Sequence, residues 1–107
     1  MDVHNNLGPG FLEIVYKDAL EYEFRLAGIP FEREKEFCVK YKETILPHKF
    51  FADFVVCNNI ILEVKAIHEI NDKSIAQAIN YLYVTGYRLS LVVNFGELKL
   101  NYKRIVK

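Results

Sequence analysis

The stretch Phe50-Phe-Ala-Asp-Phe-Val-Val-Cys-Asn-Asn-Ile-Ile-Leu-Glu-Val-Lys-Ala66 sets three ionisable side chains, Asp53, Glu63 and Lys65, inside two runs rich in β-branched and aromatic residues. The runs on either side of Asn58-Asn59 read as the strands of a hairpin, because Asn tolerates positive φ and both flanks have strand composition. Side chains alternate between the faces of a strand, so Glu63 and Lys65 project together with Ile61 and Ile67. Ile60, Leu62, Val64 and Ala66 point the other way. An acid and a base therefore share one face.

Whether Asp53 joins them depends on the hairpin register. A strict two-residue Asn58-Asn59 loop puts Asp53 opposite Val64, on the wrong face, whereas a three-residue connection through Cys57, or a bulge, puts it opposite Glu63. The second arrangement is expected, since a carboxylate left on the apolar face costs several kcal/mol, of the order given for buried polar groups.

Asp53, nine intervening residues, then Glu63-Val64-Lys65 resembles the signature of the PD-(D/E)XK nuclease superfamily, with Ala52 where Pro is usual. Gln77-Ala-Ile-Asn-Tyr81 is similar to the QxxxY helix motif of its RecB-like and Cas4-like exonucleases. Gly10-Phe-Leu-Glu13-Ile-Val-Tyr16 resembles the signature of the GxxExxY family of small bacterial and archaeal proteins. That resemblance extends over nearly the whole chain, taking in His4, Leu7-Gly-Pro-Gly and Asn94-Phe-Gly96. It implies an α/β (α+β) fold with a restriction-endonuclease-like αβββαβ core, a mixed central sheet flanked by helices, and one added C-terminal strand.

Length and composition agree with one domain spanning residues 1–107. Hydrophobic residues make up 51% of the chain, which argues against disorder and linkers. Lys and Arg balance Asp and Glu at 14 each, so the chain is not the strongly basic kind that lives on phosphate contacts, and any nucleic-acid binding must be local. Cys38 and Cys57, in apolar surroundings and without pair spacing, read as reduced core residues, not as a zinc site. With no apolar span of membrane length and no signal peptide, the expected location is the cytoplasm, without a membrane partner. The abundance of Tyr and Phe leads to the expectation of a homodimer.

Taken in order, Gly8-Pro9-Gly10 opens a helix running from residue 9 or 10 to Ala27, with Leu12, Val15, Ala19, Tyr22 and Leu26 as its buried stripe and Gly28 as its stop. Glu13 lies beside that stripe. It reads equally as a first-turn acid favoured by the helix dipole and, by resemblance, as an accessory metal ligand. His4 reads as a solvated or capping side chain and His48 as a loop residue. Phe31 to Tyr41 alternates as a half-exposed strand ending in a turn at Lys42-Glu43. A second helix is expected from Asp72 or Lys73 to Gly86, capped by Asp72, with Ile75, Ala78, Ile79 and Leu82 buried and Gln77 and Tyr81 on one flank. Arg88 to Phe95, nearly unbroken apolar, reads as the sheet centre covered on both faces, and Leu98 to Val106 as a final half-exposed strand.

Phosphodiester hydrolysis needs a more acidic water, charge neutralised on the phosphorane and a stabilised leaving oxygen, and a hard divalent cation can serve all three. Two adjacent carboxylates repel without such an ion. The resemblance implies Asp53 and Glu63 as ligands of Mg²⁺ or Mn²⁺, helped by the Val64 carbonyl and by Glu13 at a second position. It implies Lys65 as the residue that orients or helps deprotonate the attacking water, and Gln77 and Tyr81 as positioning groups. A metal-dependent nuclease acting on nucleic acid, with DNA the expected substrate, is the leading reading. The alternative is an inactive nuclease-fold binding or assembly module working through a homodimer or a protein partner.

Overall fold

A computed structural model describes residues 2–107. In chain order its elements are α1 (Asp2–Leu7), α2 (Glu13–Ala27), β1 (Phe31–Phe37), β2 (Lys40–Tyr41), β3 (Thr44–Ile45), β4 (Phe50–Val56), β5 (Ile60–Lys65), α3 (Asp72–Thr85), β6 (Leu89–Asn94) and β7 (Asn101–Val106). The five long strands form one sheet in the order β1-β4-β5-β6-β7. Only β5 and β6 run parallel, joined by the α3 crossover; the other pairs are antiparallel. α2, β1, β4, β5, α3 and β6 make the expected αβββαβ core. The small β2–β3 hairpin turns at Lys42-Glu43, where Lys42 takes positive φ. β7 is the added strand.

The hairpin register follows the three-residue connection. Val56 pairs with Ile60, Val55 with Ile61 and Phe54 with Leu62, leaving Cys57, Asn58 and Asn59 as the turn. Cys57 and Asn58 both take positive φ there. Continued by one step, this register sets Asp53 opposite Glu63.

Two apolar clusters sandwich the sheet. On one face Tyr16 and Leu20 of α2 pack on Phe54, Leu62, Val64 and Phe95. On the other, Leu82 of α3 packs on Ala52, Val55 and Ile61. β5, not β6, occupies the sheet centre. In β6 only Ser90, Val92 and Asn94 are fully buried, so one face is covered and the other half-covered. An unbroken apolar run marked two-sided contact without saying that a helix stands over each side.

The buried stripe of α2 is also not the expected one. Tyr16, Lys17 and Leu20 are buried, whereas Leu12 is 76% exposed, Tyr22 60% and Leu26 66%. The helix starts later than expected, with Leu12 as its N-cap. Val15 and Ala19 of the expected stripe are half-buried, and Ala19 packs on the core. The fully buried stripe lies one step round the helix and carries Lys17, with Glu13 at its end, so hydrophobicity alone placed the face one step off. In α3 the buried residues are Ser74, Ala78 and Leu82, with Ile79 40% exposed. Asn71, not Asp72, is the N-cap, accepting the Ser74 amide at 2.9 Å. Gly28 and Gly86 end their helices in the left-handed conformation as expected.

Cys38 and Cys57 are exposed, correcting the expectation of core thiols, because each lies just past a strand end. His48 is exposed in its loop. His4 is buried, against the expectation of a solvated residue: its Nε2 lies 2.8 Å from the Glu97 carbonyl, and its ring is tilted against Phe95, tying α1 to the β6–β7 connection. Among the described residues no helix is long and apolar enough to cross a membrane.

Candidate metal and phosphodiester site

The site forms where β4 parts from β5 beyond the Phe54–Leu62 pair, while β4 stays paired with β1 on both sides of Glu34 and Asp53. Glu34 of β1 takes φ +53°, a left-handed conformation uncommon for a residue with a Cβ. The alternation of β1 shifts there: Phe31 packs on the α2 face and Phe37 on the α3 face. Opposite it, β4 makes the same change, with Phe54 on the α2 face and Ala52 on the α3 face. Asp53 stands at the break. Its Oδ2 accepts the Val64 amide at 2.7 Å and its Oδ1 accepts Lys17 Nζ at 3.0 Å. The carboxylate thus occupies a gap in the β4–β5 ladder and reaches both layers.

Glu63 projects from β5 toward the α3 layer and is only 5% exposed, with Oε1 lacking any hydrogen-bond partner. Burial, reinforced by the adjacent Asp53 charge and partly offset by Lys65, pushes its carboxyl up to about 9. Lys65, two residues on, donates to Gln77 Oε1 of α3 at 3.2 Å. Tyr81 stacks on Phe50 with ring centroids 4.2 Å apart. Its hydroxyl is pushed up by burial and then by the charges of Glu63 and Asp53. Glu13, on the first turn of α2, is raised by burial and next by Asp53, with Lys65 and Lys17 pulling the other way. Val64 is fully buried in the α2-side core while its amide serves Asp53. Asp53, Glu63, Lys65, Gln77, Tyr81 and Glu13 therefore belong to one electrostatic neighbourhood.

Two members escaped sequence reasoning. Lys17, 7% exposed, pairs with both Asp53 and Glu34. Burial lowers its pKa, but hydrogen bonds to Glu34 and Asp53 and their charges more than offset this and leave it raised. The available signal was its place four residues after Glu13, on the same helix face. Nothing in the strand pattern around Glu34 announced its left-handed backbone.

A cavity of about 230 Å³ lies elsewhere, on the α2 face, lined by Leu20, Phe24, Val56, Ile60, Leu62, Leu91 and Val93. It offers no group for acid, base or ligand chemistry, so the polar cluster is the better candidate. Among the described residues no group of three or more His, Cys, Asp and Glu is gathered so as to cage an ion alone. The donor set still fits a hard dication that keeps several waters, as Mg²⁺ does with one or two carboxylates. Glu63 Oε1 is a buried oxygen without a hydrogen-bond partner, and burial followed by the adjacent Asp53 charge holds the Glu63 carboxyl up.

Comparison with known proteins agrees with this architecture. The crystal structure of SSO0001 superposes with a TM-score of 0.63 at 18% sequence identity, covering 87% of this chain and 50% of that one. That likeness is one of fold, and the chain spans about half the length of that structure. No curated protein matches the sequence. The sequence profile of the PD-(D/E)XK nuclease superfamily matches residues 1–105, and with the αβββαβ core this places the chain in the PD-(D/E)XK nuclease superfamily.

Proposed function

We propose that this chain is a divalent-metal-dependent nuclease domain that hydrolyses phosphodiester bonds of nucleic acid, with DNA the expected substrate and Mg²⁺ or Mn²⁺ the ion. The observation that carries the reading is the buried, unpartnered Glu63 Oε1 beside Asp53, with Lys65 two residues away on the same face of β5. Asp53, Glu63 and the Val64 carbonyl would hold the ion, and Glu13 would add a carboxylate from α2. When bound, such an ion supplies Lewis acidity for the water and the phosphoryl oxygens. Lys65 has the charge to orient the attacking water and to offset negative charge as it develops. Gln77 holds the Lys65 ammonium through Oε1, which fixes the direction of that charge. Tyr81, braced by Phe50, borders the same carboxylates and would meet the substrate or the water shell.

The second reading, a nuclease fold serving as a binding or assembly module, is favoured by one observation. Asp53 already has a cation on Oδ1, the Lys17 ammonium. Metal titration by calorimetry, with cleavage of labelled single- and double-stranded DNA and RNA, separates the two. Glu63→Gln is expected to lose metal affinity and cleavage together, since an amide oxygen is a poorer ligand for a hard dication. Lys65→Ala is expected to keep the metal and lose turnover by roughly 100-fold or more, the scale of a lost electrostatic donor. A metal-loaded wild type that cleaves none of these substrates hands the case to the binding module. Equal turnover in wild type and Lys65→Ala refutes the role given to the lysine.

A further inference from the structure

Both oxygens of Asp53 are engaged: Oδ2 by the Val64 amide at 2.7 Å and Oδ1 by Lys17 at 3.0 Å. The amide is fixed by the sheet. Lys17 is a side chain with a second acceptor, Glu34, to which it is already bonded. The Lys17 side chain is 8% exposed and that of Asp53 13%, whereas that of Glu34 is 47% exposed. The inner acceptor is thus sequestered and the outer one faces water. Stranding a buried ammonium without a partner is costly, but release from Asp53 alone leaves Lys17 paired.

Lys17 is the positive group in direct contact with Asp53, while the ammonium of Lys65 is bonded to Gln77.

We propose that Lys17 is a positioning residue of the metal site: its ammonium holds Asp53 in place until a divalent ion arrives and then remains on Glu34, so that lysine and ion compete for Oδ1 of Asp53. This rests on the metal-binding reading above and goes beyond it by assigning Lys17 and Glu34 the setting of metal affinity. A purely structural ion pair would influence stability and leave metal affinity unchanged.

The test is calorimetric titration of Mn²⁺ into the full chain as wild type, Lys17→Met, Glu34→Gln and Asp53→Asn, with thermal melts in chelator. Lys17→Met is expected to bind Mn²⁺ on the order of tenfold more tightly, the factor that corresponds to a difference of about 1.4 kcal/mol, while melting lower in chelator. Glu34→Gln, which leaves Lys17 with Asp53 as its only carboxylate partner, is expected to bind several-fold more weakly. Asp53→Asn is expected not to bind. Wild type that is silent while Lys17→Met binds also supports the competition. If wild type binds and Lys17→Met binds equally or less well, the role of Lys17 is overturned and the metal reading stands. If neither binds, both fall. Should Lys17→Met fail to fold, the exposed Glu34→Gln decides alone: weaker binding upholds the competition, unchanged binding overturns it.

Discussion

Glu63 shows how one residue's environment becomes a property of the whole protein. Its carboxyl is raised from 4.5 to about 9, first by burial and then by Asp53. Such a group keeps its proton in the folded state at pH values where the unfolded chain has released it. The stabilisation is complete below about pH 4.5 and is lost as pH rises toward about 9. In chelator, stability should therefore fall between about pH 5 and pH 8, with a slope of at most about 1.4 kcal/mol per unit for one proton. Glu63→Gln should flatten this profile and melt higher than wild type at the alkaline end. Urea unfolding across that range checks it, and parallel profiles for the two proteins would count against a buried protonated Glu63. This residue was legible beforehand because strand alternation put Glu63 and Lys65 on one face, and the cost of burying Asp53 chose the register. Lys17 was not, because a lysine on a helix is ordinarily solvated and only the assembled site shows what it faces.

At the scale of elements, α2 explains what periodicity can and cannot tell. Two stripes on this helix have helical spacing, and the more apolar one, through Leu12, Val15, Ala19, Tyr22 and Leu26, is half-buried at Val15 and Ala19 and exposed at Leu12, Tyr22 and Leu26. The buried one carries Glu13 and Lys17 because the helix supplies the carboxylate site as well as the core. The end of β5 is held by a different device. Asn94, fully buried, accepts the Ile67 amide at 3.0 Å and the Gly96 amide at 3.1 Å, and donates to the Ile67 carbonyl at 3.0 Å and to Glu97 Oε2 at 2.6 Å. One residue on, the Phe95 amide donates to the Lys65 carbonyl at 2.8 Å. Gly96 fits because a Cβ there would lie 2.2 Å from the Ile67 carbonyl oxygen. Asn94→Ala should cost about 2–4 kcal/mol, since it leaves buried backbone groups unsatisfied, and Gly96→Ala should destabilise by forcing the two segments apart. Chemical denaturation measures both, and a loss below about 0.5 kcal/mol for Asn94→Ala, the range of neutral surface changes, would mean that other groups hold this junction. The sequence put a break between the strands Arg88 to Phe95 and Leu98 to Val106; that Asn94 clasps Ile67 there depends on a contact spanning 27 residues.

At the scale of the molecule, the aromatic content that suggested a homodimer is divided: part of it packs within the chain, while Tyr22, Tyr41, Tyr83 and Tyr102 stand at least 58% exposed. Tyr16 stacks on Phe95, Phe24 and Phe31 pack around Phe54, and Phe37, Phe50, Tyr81 and Tyr87 form a connected group beside the carboxylates. Charge is more instructive. The charges sum to zero, and among the described residues five of the 14 Lys and Arg side chains are paired internally: Lys17 with Asp53 and Glu34, Arg25 with Glu21, Arg33 with Asp18 and Glu21, Lys35 with Glu32, and Lys49 with Glu36. Of the nine others, Lys99, Lys103, Arg104 and Lys107 lie on or beside β7, at the sheet edge and away from β4 and β5, so a nucleic acid held at the carboxylate site alone would replace few counterions. Each phosphate neutralised on a duplex contributes about −0.9 to the slope of log K against log salt. We expect a slope of about −2 to −4, on the order of two to four phosphate contacts, for Glu63→Gln, which should bind without cutting. Fluorescence anisotropy with a labelled duplex between low and physiological salt measures it. A slope near −8 or steeper, as for a broad basic footprint, would show that the phosphates reach cations well beyond the carboxylate site, and would overturn the expectation of a small, local contact there.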